Sequence, residues 1–146
     1  MKHIIYINDF SRKSFNQLNP LQAIWTYDAL LAVDEAQGSH AIRERLSRKL
    51  GDKVTLSLKR PRKIQISLVK GGSLGLQLDC TPSEIGGVVK DIMPHGLTAQ
   101  WNKEHPSKAL NPGDRILEIG GEEFIGSELL DQIRSSKKLF LTVLKY

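Results

Sequence analysis

Strict alternation of apolar and polar residues marks short strands in the second half of the chain. Residues 63–68 read Lys-Ile-Gln-Ile-Ser-Leu, and Leu74, Leu76 and Leu78 alternate in the same way with polar or small neighbours. Residues two apart lie on the same face of a strand, so each segment predicts a half-buried strand. The two predicted strands flank a glycine-rich turn.

The pattern of short elements continues to the end of the chain. It predicts a strand at 88–92, a short helix at 97–103, a strand at 115–119, a short strand at 122–124, a helix around 129–133 and a closing strand at 139–143. The sequence Asn111-Pro112-Gly113-Asp114 is a strong turn signal before one of these strands. This order predicts an α+β fold, a small sandwich or partly open β-barrel with two short helices.

The loop at 70–76 has the composition of an anion-binding nest. Gly71, Gly72 and Gly75 can adopt positive φ angles, so successive backbone N–H groups can converge without an obstructing Cβ. Such a nest beside a strand suits a carboxylate. An ordinary hairpin turn is the alternative for this loop taken alone.

Residues 63–146 resemble a PDZ domain in three features. Ser73-Leu74-Gly75-Leu76 is similar to the family's carboxylate-binding loop, and residues 110–121 are similar to its segment of a Pro-Gly-Asp turn and the strand after it. The second helix and the closing strand follow in the expected order. The resemblance implies a PDZ-like domain at 61–146.

The resemblance also implies a binding site for the free C-terminus of a partner protein. In the family, loop amides hold the carboxylate and the last ligand residues add as an antiparallel strand. The matching carboxylate-binding positions here are Lys70, Ser73, Leu74, Gly75 and Leu76. The pocket for the terminal side chain matches Leu74, Leu76, Leu78, Leu130 and Ile133. Because these pocket residues are aliphatic, we expect a Val, Ile or Leu terminus.

One departure from the family pattern leaves an alternative function open. The connection from Gly121 to Leu129 is several residues shorter than usual, and the first position of the second helix falls near Gly126 or Ser127 instead of at a His. The class of ligand is therefore not assigned. In the alternative, the groove is vestigial and the chain is a non-catalytic accessory subunit of a larger assembly.

Residues 1–60 are predicted to form a partial, divergent PDZ-like unit without the carboxylate loop. Residues 27–34 align with 113–120 at an offset of 86 residues. Further parallels are Ile42 and Leu46 with Leu129 and Ile133, residues 54–58 with 139–143, and Ile4 to Ile7 with the strand around Val88 and Val89. An α+β segment unrelated to PDZ domains is the other interpretation of this half.

The net charge of +5 comes entirely from the first part of the chain. Residues 1–62 carry 11 Lys or Arg against 6 Asp or Glu, whereas residues 63–146 carry 10 against 10. The basic stretch at 43–63 is interpreted as a solvated face, with contact to an acidic partner or a membrane surface as the alternative. No aromatic residues are interleaved with these cations, so no nucleic-acid binding is expected.

No pattern in the sequence indicates an enzyme, a metal site or a cofactor. The four histidines are scattered, and no Gly-x-Ser-x-Gly or nucleotide-binding motif is present. The single cysteine, Cys80, cannot form an internal disulfide and is expected to be a packing residue. Without a signal peptide or a long apolar span, an intracellular location is expected, in the cytoplasm, a mitochondrion or a plastid.

Overall fold

A computed structural model describes residues 2–6, 23–48 and 53–146 of the chain. The chain divides into two units, Met1–Pro61 and Arg62–Tyr146. The first contains β1 (Lys2–Tyr6), β2 (Ala29–Val33), β3 (Ala36–Gln37), α1 (Ser39–Ser47) and β4 (Lys53–Lys59).

The second unit has the α+β order that the sequence predicts. Its elements are β5 (Arg62–Val69), β6 (Leu76–Asp79), β7 (Gly87–Ile92), α2 (Leu97–Glu104), a 3-10 turn (Pro106–Lys108), β8 (Arg115–Ile119), β9 (Glu122–Glu123), α3 (Gly126–Ser135) and β10 (Lys138–Lys145). The strands form an antiparallel sheet in the order β5-β10-β8-β7-β6, with β9 beside β8. The sheet does not close into a barrel, and within the described residues β5 and β6 are its edges.

Alternation along β5 and β10 builds the core of this unit. Ile64, Ile66 and Leu68 are buried, and they lie opposite Val143, Leu141 and Leu139 in the antiparallel register. The helix α3 covers the same side of the sheet with Leu129 and Ile133. Each fully buried aliphatic side chain of this kind contributes about 1.5–3 kcal/mol through removal from water. The core holds α3 and the sheet together, and these are the walls of the candidate site.

The four strands of the first unit repeat four of the six strands of this sheet. Its strands lie in the order β1-β4-β2-β3, which corresponds to β5-β10-β8-β9 in the second unit. The predicted match of Ile4 to Ile7 with the strand of Val88 and Val89 was wrong, because β1 pairs with the closing strand β4, as β5 pairs with β10. Strand alternation alone does not determine which neighbour a strand will pair with. Residues 7–22, Ile7 included, lie outside the described residues.

Two unusual backbone angles recur at the same offset of 86 residues. Tyr27 has φ 72°, and Gly113 in the second unit has φ 96°. Asp34 has φ 52°, and Gly120 has φ 63°. Non-glycine residues rarely adopt positive φ angles, so their recurrence at matching turns supports an internal repeat.

The predicted equivalence of the two helices holds for one of its two apolar positions. Ile42 of α1 is buried, as is Leu129 of α3. Leu46 is 45% exposed, whereas its expected counterpart Ile133 is 9% exposed. The four-residue spacing places Ile42 and Leu46 on one face of the helix, but the burial of each also depends on what packs against that face.

Candidate functional site

Three consecutive carbonyl groups of the glycine loop are bonded to the body of the second unit. The bonds run from Leu97 N to Ser73 O at 3.0 Å, from Thr98 N to Leu74 O at 3.1 Å and from Met93 N to Gly75 O at 2.8 Å. Two of the donors belong to the first turn of α2, where backbone N–H groups have no partner within the helix. In a trans peptide the C=O of one residue and the N–H of the next point in opposite directions. The N–H groups of Leu74, Gly75 and Leu76 therefore point away from α2, as a carboxylate nest requires. That of Gly75 donates to the Oγ of Ser73 at 3.3 Å, so Ser73 contacts the loop backbone itself.

Gly75 is the glycine on which this loop depends. It has φ 64°, and a Cβ at this position would lie 2.7 Å from the Cα of Gly96. Gly71 and Gly72 have open space around them and no positive φ angle. The sequence predicts positive φ angles as available to all three glycines. In the structure only Gly75 adopts one, where its backbone touches that of Gly96.

The strand after the loop offers an unpaired edge. Within the described residues β6 pairs only with β7, and Leu76 lies opposite Ile92. Because Met93 N bonds to Gly75 O, the neighbouring pair Leu76 and Ile92 is a non-hydrogen-bonded pair of the ladder. The N–H and C=O of Leu76 consequently face outward, towards the position of an added strand.

Lys70 connects the loop to the end of α3. Its Nζ donates to Ile133 O and, at 2.9 Å, to Arg134 O. A cation at this position is favourable because the last carbonyls of a helix carry partial negative charge. An ammonium group has three donors, so one N–H of Lys70 remains for a carboxylate.

The aliphatic residues assigned to the ligand pocket lie on both sides of the groove, which runs between β6 with its preceding loop and α3. Leu74, Leu76 and Leu78 are half-buried and pack against the core. On α3, Leu130 is half-buried and Ile133 is buried. Ile133 is thus mainly a core residue, and Leu130 is the more accessible of the two helical positions.

Backbone contacts that the sequence did not predict close the far end of this groove. A Cβ on Gly126 would lie 2.3 Å from Thr81 O, so the first residue of α3 lies directly on the chain that follows β6. Gly126 N donates to Glu84 O at 2.8 Å, and Ile85 forms a β-bridge with Ile125. The only trace of this contact in the sequence is Gly126 itself. It was interpreted as a departure from the family's usual residue at the first position of the second helix.

Cys80 packs beside this contact. A Cβ on Gly87 would lie 2.6 Å from the Cys80 Sγ, which shows how closely the thiol approaches β7. Burial, and then the nearby Asp79 carboxylate, raise the pKa of the Cys80 thiol. A raised pKa keeps the group protonated and unreactive, which agrees with a packing residue.

A cleft of the second unit lies away from the glycine loop. It has a volume of about 500 Å³ and spans the outer face of β5, β10 and β8. Its lining includes Gln65, Ser67, Trp101, Lys108, Glu118, Phe140 and Thr142. None of these residues was assigned to the ligand site.

Several cations of the basic stretch at 43–63 have acidic partners. Arg45 lies 2.7 Å from Asp34, Arg60 lies 2.8 Å from Asp28, Lys63 lies 3.7 Å from Glu118, and Arg48 pairs with Glu44. The stretch therefore carries less unpaired charge than its sequence indicates. Contact with a membrane surface through it stays a prediction.

The described residues hold neither a cluster of metal ligands nor a helix that could span a membrane. No group of three or more His, Cys, Asp or Glu among residues 2–6, 23–48 and 53–146 is arranged to hold a metal ion. Within the same ranges, no helix has the length and apolar character needed to cross a membrane.

Comparisons with known proteins found similarity in solved structures alone. No protein-family model matches the chain, and no curated protein matches it. The second PDZ domain of Dlg1 from the choanoflagellate Monosiga brevicollis is 18% identical, with a TM-score of 0.46 over 58% of this chain and 99% of that one.

Two further matches are structures of the PDZ45 segment of INAD. In complex with NORPA CC-PBM it is 21% identical, with a TM-score of 0.47, covering 89% of this chain and 72% of that one. In complex with an NG2 peptide it is 23% identical, with a TM-score of 0.45, covering 89% and 71%. The order of elements in the second unit, with the glycine loop before the edge strand, agrees with the PDZ-like fold that the sequence resemblance implies.

Proposed function

We propose that the second unit binds the free C-terminus of a partner protein, which adds as an antiparallel strand to β6. The observation that carries this proposal is the direction of the loop peptides. Three successive carbonyls are bonded to Met93 and to the start of α2, so the three N–H groups that follow them point away from α2. The N–H of Gly75 donates to Ser73 Oγ, which a carboxylate oxygen would replace, and those of Leu74 and Leu76 face outward. Backbone N–H groups arranged in this way attract an anion without any basic side chain.

The edge of β6 and the ammonium of Lys70 complete the site. The outward N–H and C=O of Leu76 can continue the sheet into a ligand strand, which supplies main-chain hydrogen bonds. The Nζ of Lys70, already held by α3, adds positive charge near the loop. Leu74, Leu78 and Leu130 supply apolar surface for the terminal side chain, which favours Val, Ile or Leu.

Binding of matched peptide acids and amides tests this function. Fluorescein-labelled peptides ending in Val, Ile or Leu are titrated with the full chain, each as the free acid and as the C-terminal amide. We expect the acid to bind at least about tenfold more tightly, because amidation removes the charge that the N–H groups recognise. Equal affinity of acid and amide would overturn the proposal.

The closed far end of the groove favours the second candidate, an accessory subunit whose groove is no longer used. In that case the chain co-purifies with one stable assembly, and substitution of Gly75 leaves that assembly intact. Isolation of tagged chain from cells, followed by mass spectrometry, separates the candidates. Many partners sharing a C-terminal residue support peptide capture, and a single complex that is insensitive to Gly75 supports the subunit role.

A further inference from the structure

The edge of β6 is short for a peptide-binding strand. It runs from Leu76 to Asp79, and a strand advances about 3.3 Å per residue. In an antiparallel ligand whose terminal residue lies beside Leu76, the third residue from the end lies beside Leu78. The fifth would lie beside Cys80, where β6 has ended.

The chain after β6 is bonded to the start of α3 and leaves no gap there. Besides the bond from Gly126 N to Glu84 O, Gly86 N donates to Phe124 O at 2.8 Å. Ser127 Oγ lies 3.5 Å from Pro82 O. Because Gly126 has no side chain and no room for one beside Thr81, the two backbones are in direct contact.

The opposite end of the groove is also fixed. Lys70 holds the last turn of α3 through the carbonyls of Ile133 and Arg134. The helix is thus attached at both ends to the segments that flank β6. A long ligand cannot widen the groove without breaking one of these attachments.

We infer that the site, given the function proposed above, recognises only the last three residues of its partner. The ligand class is a C-terminal tripeptide with a free carboxylate and an aliphatic final residue. Residues before it are directed away from the sheet by the contact between Thr81 and Gly126 and make no ladder bonds. Gly126 is then a specificity-determining residue, because any side chain at this position would separate the two backbones.

A series of peptide lengths tests this inference. Acids of three, four, six and eight residues with one common C-terminal sequence are titrated with the full chain, alongside their amides. We expect the affinity to stay within about twofold from three residues upward, since longer peptides gain no further ladder bonds. A gain of about tenfold between the tripeptide and the hexapeptide would overturn the length limit while leaving the proposed function standing. Acid and amide of equal affinity at every length would instead overturn the proposed function itself.

Two altered chains test the role of the closing contact. In the first, Gly126→Ala places a methyl group against the Thr81 carbonyl; in the second, two glycines are inserted between Pro82 and Ser83 to loosen the loop. For each, we expect the hexapeptide to bind at least about fivefold more tightly than the tripeptide. The same insertion between Gly120 and Gly121, in an exposed turn outside the groove, is the matched control.

Alkylation of Cys80 reports whether the contact has opened in a folded chain. Its rate should rise in both altered chains at unchanged circular dichroism, because the Cβ of Cys80 lies beside Gly126 and the contact helps to cover this side chain. If the rate rises and the length preference does not change, the contact does not limit ligand length and the inference is wrong. Because the insertion leaves α3 itself unaltered, it tests the inference even if Gly126→Ala fails to fold.

Discussion

Asp28 and Asp114 hold equivalent turns in the two units with the same hydrogen bond. Each carboxylate accepts from the backbone amide three residues earlier, at 2.9 Å from Trp25 N and at 2.8 Å from Asn111 N. Each also faces a cation from the end of its closing strand, Arg60 at 2.8 Å and Lys145 at 3.3 Å. These cations in turn donate to the carbonyls of Ala23 and Ala109, again 86 residues apart.

We predict that Asp28→Ala and Asp114→Ala each destabilise their own unit. Both side chains are nearly inaccessible to water, at 1% and 3% exposure, and their loss removes the acceptor of a turn N–H and the partner of a cation. The expected cost is about 1–3 kcal/mol in each case. Urea unfolding followed by tryptophan fluorescence measures it, since Trp25 reports on the first unit and Trp101 on the second.

Substitution of exposed acids controls for the loss of charge alone. Glu35→Ala in the first unit and Glu123→Ala in the second should change stability by less than about 0.5 kcal/mol. Equal effects of Asp28→Ala and Glu35→Ala would show that the turn does not depend on its carboxylate.

Gly75→Ala should damage both the stability of the second unit and its binding of peptide acids. The substitution combines a positive φ with a Cβ 2.7 Å from Gly96, so the loop must move. We expect a loss of about 1–3 kcal/mol in stability and at least about tenfold in affinity. Calorimetry on the folded variant separates the two effects.

Gly71→Ala is the matched control for this loop. It lies in open space without a positive φ angle. Its stability should be unchanged or raised by up to about 1 kcal/mol, because alanine restricts the unfolded chain. A similar loss of binding in both variants would mean that the orientation of the Gly75 peptides is not what holds the ligand.

Lys70→Met should weaken the attachment of α3 and lower the preference for a free carboxylate. Loss of the cation at the helix end is expected to cost about 0.3–1 kcal/mol. The ratio of acid to amide affinity should fall, whereas Lys70→Arg should preserve most of it. If acid and amide affinities fall by the same factor in Lys70→Met, the residue acts only through the helix.

The stability of the first unit should fall at acid pH through Asp34. Its carboxylate accepts from Thr55 N at 2.9 Å, and this bond, followed by the Arg45 side chain, lowers the pKa of Asp34 below its ordinary value of 3.8 despite partial burial. A lowered folded-state pKa gives stability that is complete above 3.8 and lost as the pH falls through the folded value. Asp34→Asn should remove this pH dependence, because asparagine tolerates the positive φ but does not ionise.

Urea midpoints measured against pH in a Trp101→Phe background follow this effect through Trp25. The ionisation of other carboxylates is common to both chains, so the difference between them isolates Asp34. A difference that grows as the pH rises above 5 would contradict the assignment.

The strands of the second unit could be predicted because alternation and turn residues agree there. Ile64, Ile66 and Leu68 are apolar at period two and are buried at period two. The similar pattern around Ile4 indicated a strand correctly, but the equivalent strand predicted for it was wrong. Pairing depends on segments far along the chain, here β4. The predicted equivalence of Leu46 with Ile133 does not extend to burial, for a similar reason. Helical spacing determines which face of the helix a residue lies on, and its burial depends on what covers that face.

The candidate site was predictable in its residue types and not in its geometry. Glycines and leucines at 71–78 indicated a nest and a strand, but the bonds that orient the nest come from Met93, Leu97 and Thr98. The contact of Gly126 with Thr81 joins segments 45 residues apart and leaves no side-chain pattern. A close contact between two backbones is marked in the sequence only by a glycine, and glycine also occurs for many other structural reasons.

The bonded carbonyls of the glycine loop also bear on how fast a ligand is exchanged. A loop already fixed to α2 has little conformational freedom left to lose on association, so binding needs no ordering step on the side of the protein. Association rates for different C-terminal sequences should therefore be similar. Partners would be distinguished by how long they stay bound.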